Sequence, residues 1–183
     1  MPSVREAAVA RRSAPKVTDA APDDAAIVSL LDAAARVADH GSLAPWRVIA
    51  LRGDARARLG AALVAAAGFD GEQAARLGAK PLRAPLLLAI VAVTREHPKV
   101  PVWEQEAAAA GVAHVLTLLL DEAGWGVMWR TGPHTGHPIV AAAHGLAPNE
   151  RLLGWLYVGG RPEGARPPRS ADSPAAQRFS SLD

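Results

Sequence analysis

No cysteine occurs among the 183 residues. That excludes disulfides, thiolate metal sites, iron–sulfur clusters and a cysteine nucleophile together. Aromatic residues make up only 4% of the chain, and alanine fills much of its apolar half. Small side chains remove little surface from water, so further burial between two subunits would be unsurprising. Lysine is scarce, with three against seventeen arginines, and the arginines are interspersed with acids to a net charge of only +2. No basic stripe forms, and nucleic acid is not an expected partner. The longest uncharged, mainly apolar run, Ala107 to Leu120, is about fourteen residues, short of the roughly twenty that span a bilayer. Arg5, Glu6, Arg11 and Arg12 break up the amino terminus, which does not read as a signal peptide. A cytoplasmic protein without a membrane partner is expected. The nucleophile elbow, the phosphate loop and the Gly-x-Gly-x-x-Gly turn are all missing. Gly124-Trp125-Gly126 follows a helical segment and reads as a tight turn.

What remains suits a single domain over residues 1–183, able to bury roughly two-thirds of its unfolded surface. Val4 to Arg12 predicts a short helix closing on Arg-Arg-Ser. Pro22-Asp23-Asp24 opens a second, with Ile27, Leu30, Leu31 and Ala34 at helical spacing and Arg36 on the last turn. Asp39 to Ser42 reads as a loop. Trp46 to Leu51 predicts a strand, Asp54 to Ala67 a helix capped by Asp54, and Glu72 to Ala79 a short helix broken by Pro81. The unbroken apolar run Pro85 to Val93 predicts a strand covered on both faces. Val102 to Ala123 predicts a long helix, apolar nearly all round, of the kind found in a core or a subunit interface. After Gly124, Trp125 to Trp129 returns as a strand with Arg130 at its far end. Pro138 to His144 is a helix and Leu152 to Val158 the last strand. Residues 161–183 show no periodicity and read either as an unstructured tail or as an arm across a partner.

His134, His137 and His144 lack an acid at the spacing that would complete a metal site, so no metal is expected and a polar loop is the better reading. His97 reads the same way, and His114 as a core or interface histidine. Glu104 and Glu106, two apart, fall on different faces of a helix and suit its amino-terminal end. Arg11-Arg12-Ser13 taken alone suits a helix carboxy-terminus, and His40 taken alone a surface position. Together with Arg36 and with Trp129-Arg130-Thr131, however, these segments repeat one theme. Each sets a cation or imidazole beside a hydroxyl or an aromatic ring. Arginine with serine suits a phosphate, and a planar ring beside arginine suits a flat electron-accepting ring. A phosphorylated aromatic cofactor follows, with flavin mononucleotide (FMN) the first candidate.

The order of these segments resembles the nitroreductase family of flavoproteins, and within it the small single-domain NAD(P)H nitroreductases, from about Arg5 to Gly160. The landmarks are Arg11-Arg12-Ser13, Arg36-x-x-Asp39-His40-x-Ser42-x-x-Pro45-Trp46, Arg83-Ala84-Pro85, His97 to Glu106, and Gly124-Trp125-Gly126-x-Met128-Trp129-Arg130-Thr131-Gly132. The resemblance implies an α+β fold, a mixed sheet flanked by helices, in an intertwined homodimer with FMN at the interface. It assigns the phosphate and ribityl end to Arg11, Arg12 and Ser13. Arg36 and His40 would come from the neighbouring subunit, and Trp129, Arg130 and Thr131 would form a further wall. The stretch Leu119, Leu120, Asp121, Glu122, Ala123 and Gly124 would meet the nicotinamide nucleotide.

The chemistry implied is hydride transfer from NAD(P)H through the flavin to a nitroaromatic or quinone-like acceptor, with no catalytic side chain required. Arg36, Arg130 or Lys80 would neutralise the reduced ring, and Arg161, Arg166 or Arg169 would offer a late phosphate contact. A flavin-binding protein without significant turnover is the alternative. Three positions depart from the subgroup: Gly41 stands where a basic residue is common, Ala44 where a polar one is, and Thr131 where serine is.

Overall fold

Strand alternation sets the architecture. A computed structural model describes residues 3–164 and 174–182. Its strands β1 (Trp46–Leu51), β2 (Leu86–Val93), β3 (Trp125–Arg130) and β4 (Glu150–Gly160) form one sheet in the order β1-β2-β4-β3. Every neighbouring pair is antiparallel. The parallel pairing of a mixed sheet is therefore not formed among the described residues of one chain, while the α+β class with helices on both faces is.

On one face, Leu86, Leu88 and Ile90 of β2 meet Leu156 and Val158 of β4. Helices α2 (Asp24–Ala34) and α5 (Val102–Glu122) cover them with Ile27, Val112, Leu116 and Leu120. On the other face, Leu87, Ala89 and Val91 meet Leu152, Trp155 and Tyr157. Here the cover comes from α3 (Asp54–Ala67), α4 (Gly71–Gly78) and α6 (Pro138–Ala143), through Leu59, Leu63, Leu77 and Val140. A strand buried on both faces has no polar positions, which is why β2 reads as an unbroken apolar run.

Several ends differ from expectation. Helix α1 (Val4–Ala10) stops before the Arg-Arg-Ser triplet because Arg11 is extended, at φ −53°, ψ 132°. A capping box between Ser3 and Glu6 starts it. Gly53, at φ 50°, occupies the N-cap of α3, and Asp54 is the first helical residue, where its charge meets the helix dipole without a capping bond. Arg36 lies beyond the end of α2. Among the described residues no helix is long and apolar enough to cross a membrane.

After the triplet, residues 14–18 form a strap over the β3–β4 edge. Ala14 N–H donates to Val127 O (2.9 Å), and Thr18 N–H donates to Gly160 O (2.8 Å). Glycine permits the approach, since a Cβ on Gly126 would stand 2.8 Å from Val17 and one on Gly159 2.7 Å from Thr18 O. The strap holds Arg11–Ser13 beside the free edge of β3.

Candidate functional site

The far end of β3 opens into a cavity of about 560 Å³ on the α3–α4 side, within the range of small-molecule sites. Its floor follows from register. Met128 lies opposite Tyr157 and Arg130 opposite Trp155, and all four side chains share one face. Leu63, Leu77 and Phe69 supply an apolar wall, while Lys80 and Arg83 come from the 3-10 turn Lys80–Arg83 after α4. Thr131 to His134 close one side. Among the described residues no carboxylate lines the cavity, yet three cations do.

Arg130 carries the most information. Its guanidinium lies 5.1 Å from the centre of the Tyr157 ring, a cation–π contact. Its Nε is buried and has no hydrogen-bond partner among the described residues. An orphaned buried donor costs roughly 1–3 kcal/mol, so the arrangement is poised for an acceptor that the described residues do not supply. Burial raises the Tyr157 phenol above its ordinary range, against the opposing charges of Arg130 and Arg83, and keeps it protonated.

Trp129 bounds the same cavity but turns its indole to the other face. There it meets the His114 ring edge-on at 5.0 Å, and its Nε1 is likewise buried without a partner. His114 is exposed rather than buried.

The other expected site residues divide. Arg11 and Arg12 are half-buried and Ser13 exposed, beside the edge of β3. Arg12 turns back onto its own helix end, donating to Val9 O (2.5 Å) and Arg11 O (2.8 Å), the carboxy-terminal role that the triplet alone suggests. Arg36 is exposed. His40 pairs through Nδ1 with Glu104 Oε2 at 2.8 Å. Glu104 precedes His114 by ten residues on α5, about 15 Å along its axis. Within one chain, Arg36 and His40 therefore do not join the cavity.

Gly41 adopts φ 77°, and Ser42 and Ala44 are also left-handed at 50° and 45°. A glycine at 41 fits that turn and explains the lost cation. Asp39 supports it, accepting from Ala44 N–H at 2.7 Å.

The expected nucleotide stretch sits at the opposite end of β3, about 16 Å away at the usual strand rise. Leu120 is fully buried in the core and Leu119 packs against it. Asp121 pairs with Arg161 at 2.7 Å, and Glu122, Ala123 and Gly124 are exposed. That pairing commits Arg161, and Arg166 and Arg169 lie outside the described residues.

Several other polar groups are structural. Glu106 pairs with Arg151 at 2.8 Å. Gln105, buried in the landmark that contains it, accepts from Arg95 N–H and donates to Arg95 O and Val100 O, fastening the loop before α5. His137 caps α6 and His97 accepts from Val100 N–H (3.1 Å). His134 lines the cavity, a role its loop composition does not reveal.

His144 is buried, donating from Nδ1 to Val140 O (2.7 Å) and accepting Trp155 Nε1–H at Nε2 (3.0 Å). Burial lowers its pKa, aided by the charge of Arg47 and opposed by the Val140 bond. The unfolded chain then binds the extra proton. The stabilisation is complete above the ordinary imidazole range and is lost as pH falls through the lowered folded value. Urea midpoints should fall between pH 7.5 and 5.5, and His144→Gln, which retains donor and acceptor but cannot titrate, should flatten that slope. An unchanged slope would contradict the assignment.

Comparison with known proteins bears on the family and the fold. The family model described as the nitroreductase family matches residues 8–160. A relative named "Putative NAD(P)H nitroreductase YdjA" from Escherichia coli (strain K12) is 34% identical over 157 residues, 84% of this chain and 86% of its own. In solved structures, a nitroreductase-like family protein from Bacillus cereus superposes with a TM-score of 0.85 at 24% identity, covering 100% of this chain and 97% of its own. A nitroreductase with bound FMN from Bacteroides fragilis NCTC 9343 does so at 0.75 and 19% identity, with full coverage of both chains.

Proposed function

The chain belongs to the nitroreductase family, and from that premise we propose that it is an FMN-dependent NAD(P)H oxidoreductase acting on nitroaromatic or quinone-like acceptors. The observation that carries this reading is the cavity beside Arg130, cationic, aromatic-floored and holding a buried donor without a partner. When bound there, FMN would supply the hydride chemistry between NAD(P)H and the acceptor.

The chain's residues do the rest. Lys80 and Arg130 would hold the ring and set fixed positive charge beside it, in a site partly shielded from water. Trp155 and Tyr157 exclude water from the floor. Arg11 and Ser13, held against β3 by the strap, take the phosphate end, with Arg12 beside them. The backbone of Trp129 to Thr131 forms the wall.

Arg36 and His40 act from a second copy of the chain in a homodimer. Val102 and Trp103, exposed beside Glu104, offer apolar surface for that partner. Residues 119–124 do not enter this reading. The nicotinamide ring must reach the flavin itself, and those residues sit at the other end of β3. A cytoplasmic setting belongs to the same reading.

The test is steady-state NADPH oxidation by the flavin-loaded protein with menadione and with nitrofurazone. Parallel double-reciprocal lines, at rates far above free FMN, are expected. FMN uptake without turnover above free flavin would favour a flavin-binding role instead.

A further inference from the structure

The cation count of the cavity exceeds what the flavin reading uses. Lys80 and Arg83 are the first and last residues of a one-turn 3-10 helix. Residues three apart eclipse in that geometry, so the two cations stand side by side. Neither has an ion-pair partner among the described residues, although the other paired arginines of the chain take carboxylates readily. Arg83 is exposed at the rim, yet near enough for its charge to act on the Tyr157 phenol on the floor. The reduced ring carries one negative charge, which Lys80 and Arg130 already answer, and the phosphate end is assigned to the Arg11–Ser13 segment outside the cavity. Arg83 is left over. Two adjacent like charges with no acid between them repel, and an anion at the mouth relieves that repulsion while accepting a bidentate contact from the guanidinium.

We propose that the electron acceptor carries an anionic group, a carboxylate on an aromatic ring, and that Arg83 is the residue that selects for it. The proposal rests on the flavin-dependent reading for the acceptor's role, but the anion site itself rests on the cavity alone. Hydrophobic wall and cation then divide the work: Phe69 and Leu63 take the ring, and Arg83 takes the charge.

The experiment is quenching of tryptophan fluorescence, with Trp155 on the cavity floor as reporter. The protein as purified is titrated with 4-nitrobenzoate and with its neutral counterpart 4-nitrobenzamide. FMN content and FMN affinity are measured on the same samples. The wild-type protein should bind the carboxylate about tenfold more tightly than the amide. Arg83→Gln should bring the two within about twofold while leaving the amide and FMN affinities unchanged, and Arg83→Lys should retain most of the preference. Equal binding of both probes by the wild-type protein would overturn the proposal, as would a preference that survives Arg83→Gln. A loss of FMN affinity in Arg83→Gln would also overturn it, by assigning the guanidinium to the cofactor. A protein that holds no FMN yet discriminates the probes in this way would sink the flavin reading and leave the anion site standing.

Discussion

Arg130→Ala is expected to weaken FMN binding by roughly 30-fold or more, on the scale of one buried charge-assisted hydrogen bond. The guanidinium faces the cavity over Tyr157, with its Nε unpartnered. In the cofactor-free protein, that orphaned donor is a cost, which partly offsets the cation–π contact with Tyr157. The variant without FMN should therefore unfold within about 1 kcal/mol of the wild type. A functional group and a structural one separate cleanly on this pair of readouts. Flavin fluorescence titration gives the first and urea denaturation the second. A variant that loses stability and keeps FMN would make Arg130 a scaffold residue.

Gly154→Ala carries the second large effect. Gly154 adopts φ 130°, a conformation closed to side-chain-bearing residues, at a bulge where the β2–β4 register shifts between Ile90 and Val91. An added Cβ would meet Arg130 O at 2.6 Å and Trp129 Nε1 at 2.8 Å. The backbone strain and the overpacking each cost roughly 1–3 kcal/mol, so the melting temperature should fall by roughly 10 °C. Because the collision is with the strand carrying Trp129 and Arg130, FMN affinity should fall as well. Ala62→Gly, in α3 on the opposite side of the sheet and away from the bulge, should lower stability alone. A Gly154→Ala protein with wild-type melting and binding would mean the bulge has slack that the geometry does not show.

The elements were legible because their signals are local. β2 is apolar without a break, and the Asp23–Asp24 pair and Gly124 mark helix ends by capping and by positive φ. The faces of β4 were not. Simple alternation would put Leu152 and Trp155 on opposite faces. The extra residue at Leu153, beside Gly154, returns both to one face, and nothing in composition announces a bulge.

The site was half visible for a related reason. Arg130 and Lys80 stand out in the sequence, and period-two spacing along β4 points to Trp155 and Tyr157. Phe69 and His134 reach the cavity only through loop paths. The division of the indole and guanidinium of Trp129 and Arg130 between two faces follows from the pleat once β3 is placed. The distance between His40 and the cavity required the length of α5, which fixes separation only after both ends have been located.

The most direct measurement is the visible absorption spectrum of the protein after incubation with excess FMN and gel filtration, then after anaerobic addition of NADPH. A yellow protein with stoichiometric flavin is expected, one that bleaches with NADPH and regains its colour when menadione is added. A colourless protein that leaves all the FMN behind would contradict the flavin reading.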